Sequence, residues 1–167
     1  YMMQAAERTP CQRVRVGGRP PSRVGIAGLH VGSMTAAPAF RPAPPLVLVA
    51  EDDEEMRRLV TRALRRDGYD VIAAADGDGL ARLLAESLRG GREPDLIVSD
   101  VRMPHLDGLQ LVAGLRAAGS HVRVILVSAF ADAATFESAA RLGVVHVLSK
   151  PFDLDDLRTV AMNLLRL

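Results

Sequence analysis

The sequence predicts an α/β fold for residues 46–167, namely a doubly wound five-stranded parallel sheet in the strand order 2-1-3-4-5 with helices on both faces. Five short apolar runs alternate there with five stretches of helical periodicity. The runs are apolar throughout, which is typical of strands that are covered on both faces. Because crossovers between parallel strands are right-handed, few topologies remain, and this doubly wound order is the natural choice among them.

The first half of this region is predicted to contain two strands and two helices. Residues 46–50 form an apolar run between two prolines and three acidic residues, which indicates a buried strand, and residues 69–74 are the second strand. The helix between them ends at Gly68, and its apolar face is Met56, Leu59, Val60, Ala63 and Leu64. The second helix has Asp76 as its N-cap, ends at residues 90–91, and has the apolar face Leu80, Leu83, Leu84 and Leu88.

The second half is predicted to contain three strands and three helices. The strands cover residues 96–99, 122–127 and 144–148. Pro104 and Gly108 indicate a loop after the first of these strands. The next helix ends at Gly119, and its apolar face is Leu106, Leu109, Val112 and Ala113. The last two helices begin at Asp132 and Asp153, and their apolar faces are Phe136, Ala139 and Ala140 in one and Leu154, Leu157, Val160, Ala161, Leu164 and Leu165 in the other.

Residues 1–45 have a different composition. They are rich in arginine, glycine, proline and alanine, and their six arginines and one glutamate give a net charge of +5, whereas residues 46–167 carry −4. A segment with so little periodic apolar surface is expected to be a disordered or loosely ordered extension. Because the globular pattern begins soon after Met34, we interpret this residue as the natural start of the protein.

Composition excludes several classes of function. The acidic balance of residues 46–167 provides no basic footprint, so no direct binding of nucleic acid is expected. The single cysteine, Cys11, excludes an internal disulfide framework and a cysteine metal cluster. No run reaches the roughly 18 apolar residues of a membrane span, and glycines and polar residues interrupt the signal-like residues 24–40. We therefore expect a cytoplasmic protein with no membrane partner.

Acidic residues follow two strands that are neighbours in the predicted order. Strand 1 is followed by Glu51, Asp52 and Asp53, and strand 3 by Asp100. In open α/β sheets, ligands bind beyond the carboxyl ends of the strands, at the point where the strand order reverses. Carboxylates without histidine or cysteine form a hard oxygen site, which suits Mg²⁺. Without a cation, such closely spaced carboxylates would repel each other.

The ends of strands 4 and 5 add a hydroxyl and an ammonium to this edge. Ser128 follows strand 4, and Lys150, the only lysine of the chain, follows strand 5. Taken singly, Asp100 and Ser128 are more often caps or turn residues, and Lys150 is more often a surface residue. Their joint occurrence at the strand ends of one sheet favours a site. A carboxylate nucleophile, a metal ion, a hydroxyl and an ammonium together suit phosphoryl transfer.

Residues 46–167 resemble the receiver domain of the two-component response regulators, which has a flavodoxin-like fold. The matching segments are residues 47–53 (VLVAEDD), 95–104 (DLIVSDVRMP) with Asp107-Gly108, 124–129 (VILVSA) and 149–152 (SKPF). Each segment is moderately specific alone, and the four in this order at strand ends are highly specific. The resemblance implies a phosphoacceptor switch of a phosphorelay, rather than a metabolic enzyme.

The resemblance also implies a role for each acidic residue. Asp100 would accept a phosphoryl group from a phosphohistidine of a sensor histidine kinase or a histidine phosphotransfer protein. Asp52 would bind Mg²⁺ directly and Glu51 would bind it mainly through water. Asp100 and the backbone carbonyl of Arg102 would be the other protein ligands of the metal.

By the same resemblance, Ser128 would donate a hydrogen bond to a phosphoryl oxygen, and Lys150 would pair with the phosphoryl charge. Phosphorylation would shift a two-state equilibrium, read by an unidentified downstream protein on the face formed by helix 4, strand 5 and helix 5. One position departs from the family. Receivers commonly have Tyr or Phe three residues before the lysine, where this chain has Val147, so the usual aromatic switch is not expected.

Two alternatives remain open. The domain could be a receiver-like scaffold in which phosphorylation is unused, although the intact set of Asp100, Ser128 and Lys150 argues against this. It could also be the receiver segment of a larger hybrid kinase or transcription factor.

Overall fold

The computed structural model describes residues 43–129 and 132–166. The predicted extension lies outside this range except for residues 43–45, and so does Met34 as a start site. These two interpretations therefore stay predictions. Of the predicted receiver domain, residues 46–167, the structure describes residues 46–129 and 132–166.

All ten predicted elements are present, in the predicted order. They are β1 (Leu46–Ala50), α1 (Glu54–Arg66), β2 (Asp70–Ala74), α2 (Gly77–Arg89), β3 (Leu96–Asp100), α3 (Gly108–Ala117), β4 (Arg123–Ser128), α4 (Ala133–Arg141), β5 (His146–Ser149) and α5 (Leu154–Leu165). The strands form one parallel sheet in the order β2-β1-β3-β4-β5. The predicted fold class is therefore confirmed.

Each face of the sheet has its own apolar core, because successive residues of a strand point to opposite faces. On one face, Leu46, Leu48 and Ala50 of β1 pack in a cluster with residues of α2, α3 and α4. On the other face, Val47 and Val49 pack in a cluster with residues of α1 and α5. This arrangement explains why the central strands are apolar at every position. The edge strand β2 is less covered, and its Ile72 is 38% exposed.

An aspartate precedes every helix as its N-cap. Asp53, Asp76, Asp107, Asp132 and Asp153 each accept a hydrogen bond from a backbone N–H of the first turn. A carboxylate is favourable at this position because it satisfies an otherwise unpaired donor and faces the positive end of the helix dipole. The helix starts predicted at Asp76, Asp132 and Asp153 agree with these caps.

The prediction that Leu106 belongs to the third helix was wrong. The Asp107 carboxylate accepts a hydrogen bond from Gln110 N at 2.7 Å, and the Gln110 side chain accepts one from Asp107 N at 3.2 Å. This capping box sets the first residue of α3 at Gly108. Leu106 remains in the preceding loop, where it packs against the core from outside the helix.

The fifth strand was predicted two residues too early. Val144 N donates to Ala139 O at 2.9 Å, and Gly143 has a positive φ of 72°. Val144 therefore completes the C-terminal turn of α4 and is buried there, before β5 begins at His146. Five residues predicted on apolar helix faces are exposed, because the stripe is wider than the contact with the sheet: Leu59, Leu88, Ala113, Phe136 and Ala140.

None of the helices in the described part of the chain is long and apolar enough to cross a bilayer. The described helices instead range from nine to thirteen residues.

A paired contact joins the end of α1 to α5. Arg158 donates to Asp67 through Nε at 2.8 Å and Nη2 at 2.6 Å, and the hydrogen bonds from Arg158 hold the pKa of the Asp67 carboxyl below its usual value of 3.8. Asp67→Asn is therefore expected to lower the denaturant midpoint slightly at pH 7, as is usual for partly exposed pairs.

The pH dependence of that loss has a definite sign. Since the pKa of Asp67 is lower in the folded state, its contribution is fully present above about pH 3.8 and disappears as the pH falls through the folded value. Urea denaturation of the wild type and the variant should therefore differ at pH 7 and converge as the pH falls below the folded pKa of Asp67. Glu93→Gln, at an exposed position in the loop before β3, is the control and should differ at neither pH. A gap that persists in acid would contradict this assignment.

Candidate functional site

The carboxyl ends of β1, β3, β4 and β5 meet at one edge of the sheet. Ala50 lies opposite Ser99, and Asp100 lies opposite Val127. Ser128 is the last residue of β4 and pairs with Ser149 of β5. The parallel register therefore carries the predicted site residues to neighbouring positions, although they are up to 99 residues apart in sequence.

Three predicted metal ligands form a carboxylate cluster. Each of Glu51, Asp52 and Asp100 offers an oxygen, and these oxygens all lie within 4.8 Å of one another. Glu51 is 3% exposed and Asp100 is 5% exposed, while Asp52 is exposed to solvent. The cluster therefore has a buried floor and an open side. Only hard oxygen donors are offered, which is the donor set that Mg²⁺ prefers.

Lys150 bridges the two buried carboxylates. Its Nζ donates to Asp100 Oδ2 at 2.5 Å and to Glu51 Oε1 at 2.8 Å. Burial lowers the pKa of the Lys150 ammonium, but its hydrogen bonds to Asp100 and Glu51 outweigh burial and raise that pKa above its ordinary value. The lysine is therefore charged throughout the physiological range.

Burial makes the negative charge of Glu51 unfavourable in this cluster. Burial raises the pKa of Glu51 above its usual value of 4.5, and the attraction of Lys150 only partly opposes this effect. The negative charge of Asp100 raises the pKa further. One added cation near Glu51 and Asp100 would relieve both the burial penalty and the repulsion.

Backbone contacts fix the orientation of the Asp100 carboxylate. Its Oδ1 accepts a hydrogen bond from Arg102 N at 2.8 Å, so Oδ1 and Oδ2 have different partners. Val101 N donates to Val127 O at 2.8 Å, and Gly108 N donates to Val101 O at 2.9 Å. These two bonds fix the loop after β3 between β4 and the start of α3.

Two glycines allow the loop after β3 to lie close to its neighbours. A Cβ on Gly108 would stand 2.4 Å from Asp100 O, and a Cβ on Gly77 would stand 2.0 Å from Leu106 O. Real Cβ atoms do not approach a carbonyl oxygen so closely, so both positions require glycine for packing rather than for a special φ. The first turns of α2 and α3 thereby support the segment that carries Asp100.

Ser128 and Lys150 are joined through the backbone. Lys150 N donates to Ser128 O at 2.7 Å, Ser128 is fully buried, and the Lys150–Pro151 peptide bond is cis. Ser128 lies one position beyond Val127, the residue opposite Asp100. Arg102, whose carbonyl was predicted to bind the metal, lies in the loop two residues after Asp100.

Sequence reasoning missed Arg57, which supports the turn after β1. Its Nη1 donates to Glu51 O at 2.7 Å and to Asp52 O at 3.2 Å. The sequence contained a signal for this role. A cation near the first turn of a helix is unfavourable with respect to the helix dipole, so its presence indicates a compensating local interaction. Here the compensating interaction is with the two carbonyl oxygens of the acidic turn.

A doubly wound sheet of this strand order, with carboxylates after β1 and β3 and a lysine after β5, defines a flavodoxin-like signalling domain of the kind found in two-component systems. The chain belongs to the response regulator receiver domain family, whose family model matches residues 47–162.

Known members of the family resemble this chain over the same region. The regulatory protein AtoC of Escherichia coli is 31% identical over 121 residues, which are 72% of this chain and 25% of AtoC. Sporulation initiation phosphotransferase F of Bacillus subtilis is 27% identical over 67% of this chain and 86% of its own length. The structure of the receiver domain of the Francisella response regulator 1452 superposes with a TM-score of 0.64, with 32% identity over 72% of this chain and 95% of that one. The chain thus spans a quarter of AtoC but most of the phosphotransferase.

Proposed function

We propose that this protein is a cytoplasmic phosphorelay switch in which Asp100 accepts a phosphoryl group from the phosphohistidine of a sensor histidine kinase or a histidine phosphotransfer protein. The observation that supports this most strongly is the set of contacts around one buried carboxylate. Oδ2 of Asp100 faces the Lys150 ammonium at 2.5 Å, and Oδ1 is fixed by Arg102 N at 2.8 Å. A nucleophile held in this way needs little reorientation before transfer.

In the proposed step, a carboxylate oxygen of Asp100 forms a bond to phosphorus while the phosphorus–nitrogen bond of the donor breaks. The electron pair of that bond leaves with the imidazole. Protein groups contribute mainly by positioning and by neutralising charge in such a transfer. Lys150 would pair with the oxygens of the transferred group, and Ser128 would donate a hydrogen bond to one of them. Lys150 exchanges its present partners for the phosphoryl oxygens in this mechanism.

Mg²⁺ fits the carboxylate cluster, because three carboxylates offer oxygens within 4.8 Å of one another and no described histidine or cysteine belongs to the group. Glu51, Asp52, Asp100 and the backbone carbonyl of Arg102 would hold the ion. When bound, it supplies positive charge that offsets the charge of the phosphoryl oxygens.

The output face is proposed to consist of α4, β5 and α5, with a downstream protein as its partner. Val147 is the second residue of β5 and packs, partly buried, against one of the two cores. Since valine has no polar end and few rotamers, it cannot repeat the swing of a tyrosine between two environments. The signal is therefore proposed to pass through a backbone shift of the segment between β4 and α4.

Intact mass measurement after incubation with acetyl phosphate and Mg²⁺ tests the proposal. The wild type should gain the mass of one phosphoryl group, and Asp100→Asn should gain none. Asp78→Asn removes an exposed carboxylate of α2 and is the matched control, which should behave as the wild type.

Two results would contradict the switch. One is a wild type that gains no phosphoryl group from acetyl phosphate or from phosphoramidate, which would favour the scaffold. The other is an adduct of equal yield in Asp100→Asn, which would move the acceptor elsewhere.

A further inference from the structure

A basic groove of about 650 Å³ lies between α1 and the edge strand β2. We call it the α1–β2 groove. Four arginines, one threonine and three strand residues line it, and none of these residues is acidic: Arg57, Arg58, Thr61, Arg62, Arg65, Val71, Ile72 and Ala73. The groove therefore carries a concentrated positive charge in a part of the chain whose net charge is negative.

One wall of the groove is the open edge of the sheet. Asp70 N donates to Pro45 O and Glu51 N donates to Ala74 O, so residues 70 and 74 direct their backbone groups toward β1. Backbone direction alternates along a strand, so Val71 and Ala73 direct theirs away from the sheet. Arg65 Nη2 covers the carbonyl of Val71 at 2.7 Å. No side chain or loop among the described residues bonds to the other outward groups of Val71 and Ala73.

A buried hydroxyl at the groove lacks a partner. Thr61 is 9% exposed, and its Oγ1 forms no hydrogen bond with any other described residue. Native structures seldom leave a buried hydroxyl unpaired, because losing its hydrogen bonds with water is unfavourable. The oxygen is enclosed by the described residues, so a segment bound in the groove would reach it only if the side chains around it moved.

Two of the four arginines are available to a ligand, since Arg57 and Arg65 already donate to backbone carbonyls. Arg62 forms no ion pair with any described residue, and the Arg58 pair with Glu54 is on the exposed surface. Arg58 and Arg62 are four residues apart, a rise of about 6 Å along the helix. In a strand, alternate side chains are about 6.6 Å apart. Acidic side chains at every second position of a strand would therefore match this arginine spacing.

We propose that the α1–β2 groove binds an extended segment of a partner protein with alternating acidic and apolar residues, which adds to β2 as a sixth strand. Its backbone would pair with the N–H groups of Val71 and Ala73 and with the carbonyl of Ala73, whereas Arg65 keeps the carbonyl of Val71. Its acidic side chains would lie on the face of α1, where Val71 packs with the core of that helix. Its apolar side chains would lie beside Ile72, which is 38% exposed on the other face. This interaction is independent of phosphorylation at Asp100.

Fluorescence polarisation of a labelled Glu-Val repeat peptide of eight residues, titrated with the full chain, tests the proposal. Saturable binding is expected, with no binding of the corresponding Lys-Val peptide. Arg62→Glu should weaken the affinity at least about tenfold. Arg82→Glu makes the same change of charge on the exposed surface of α2 and should leave binding unchanged. Absence of saturable binding, or equal effects of the two variants, would overturn the proposal.

Strand addition is distinguished from general attraction of anions by Ala73→Pro. The backbone N–H of Ala73 points away from β1, so a proline at this position removes the proposed bond to the peptide but no bond of the sheet. If the peptide adds as a strand, its binding should be lost in this variant. Retained binding would mean that charge alone is responsible and would overturn strand addition. If the variant does not fold, amide exchange of the wild type decides. The N–H groups of Val71 and Ala73 should exchange more slowly when the Glu-Val peptide is bound, and unchanged rates would overturn the proposal.

Discussion

Lys150→Met is expected to lower the free energy of unfolding by about 3 kcal/mol at pH 7. Removing one partner of a buried ion pair leaves an uncompensated charge, at a cost of about 3–5 kcal/mol. Here Lys150 Nζ is the bridge between the side chains of Glu51 and Asp100, both of which are buried. The lower end of the range is expected because the exposed Asp52 marks an open side of the cluster.

The deficit of Lys150→Met should depend on pH. The pKa of Glu51 is already raised above 4.5 in the folded protein, mainly by burial, and loss of the lysine would raise it further. An acid whose pKa is higher when folded binds its proton more tightly in the folded state. The deficit should therefore grow as the pH rises from the folded pKa of Glu51 in the wild type to its higher folded pKa in the variant, and become constant above the latter. Urea denaturation between pH 5 and 8 measures this change.

A double variant is the control for this interpretation. Adding Asp100→Asn to Lys150→Met removes one of the two unpaired charges and should recover part of the lost stability, a coupling that a double-mutant cycle reports. If the two substitutions were simply additive, or if the Lys150→Met deficit were the same at every pH, the carboxylates would not be electrostatically linked through Lys150.

Gly108→Ala is expected to have the second largest effect, a loss of about 3 kcal/mol. The new Cβ would stand 2.4 Å from Asp100 O and 3.1 Å from Ser99 Oγ. Since the carbonyl belongs to a buried central strand, α3 must move instead, at the expense of the bond from Gly108 N to Val101 O. The displacement should also reduce the yield of phosphoryl adduct at Asp100. Chemical denaturation and intact mass measure the two effects.

Gly114→Ala is the matched control, because it lies in the same helix with no atom within 4 Å of an added Cβ. Alanine is more favourable than glycine inside a helix by about 0.5–1 kcal/mol, so this variant should be more stable than the wild type. A loss of stability in Gly108→Ala together with a gain in Gly114→Ala would distinguish the effect of steric contact from the effect of helix propensity. A loss of similar size in both variants would show that α3 tolerates no added methyl group.

The sequence predicted the fold well, and it predicted that the candidate site residues lie at one edge of the sheet, because both depend on patterns with a simple period. Apolar runs and helical stripes determine the order of the elements, and a parallel sheet brings all strand ends to one edge. Asp100, Ser128 and Lys150 therefore lie where their strands end. The error at Leu106 has a different origin. An apolar side chain reaches the core equally well from a loop, and only the capping box of Asp107 and Gln110 defines the start of α3.

Other features depend on contacts between distant residues and have no local signal. The approach of Gly77 to Leu106 O joins the start of α2 to a loop 29 residues later, and no spacing in the sequence indicates it. The α1–β2 groove is similar. The arginines of α1 look like an ordinary solvated helix surface in the sequence. Only the position of β2 at the edge of the sheet places them beside open backbone groups.

The five aspartate caps have a consequence for how fast partners arrive. All five helices begin at the carboxyl edge of the sheet, so their five N-cap aspartates lie at the same edge as the site: Asp53, Asp76, Asp107, Asp132 and Asp153. Together with the carboxylate cluster they add negative charge to this edge. A partner with a basic docking surface would be steered toward Asp100 over several ångströms of water, and its association rate constant would fall as ionic strength rises. An acidic partner would be slowed by the same field, so the caps that start the helices also discriminate among proteins that approach the site.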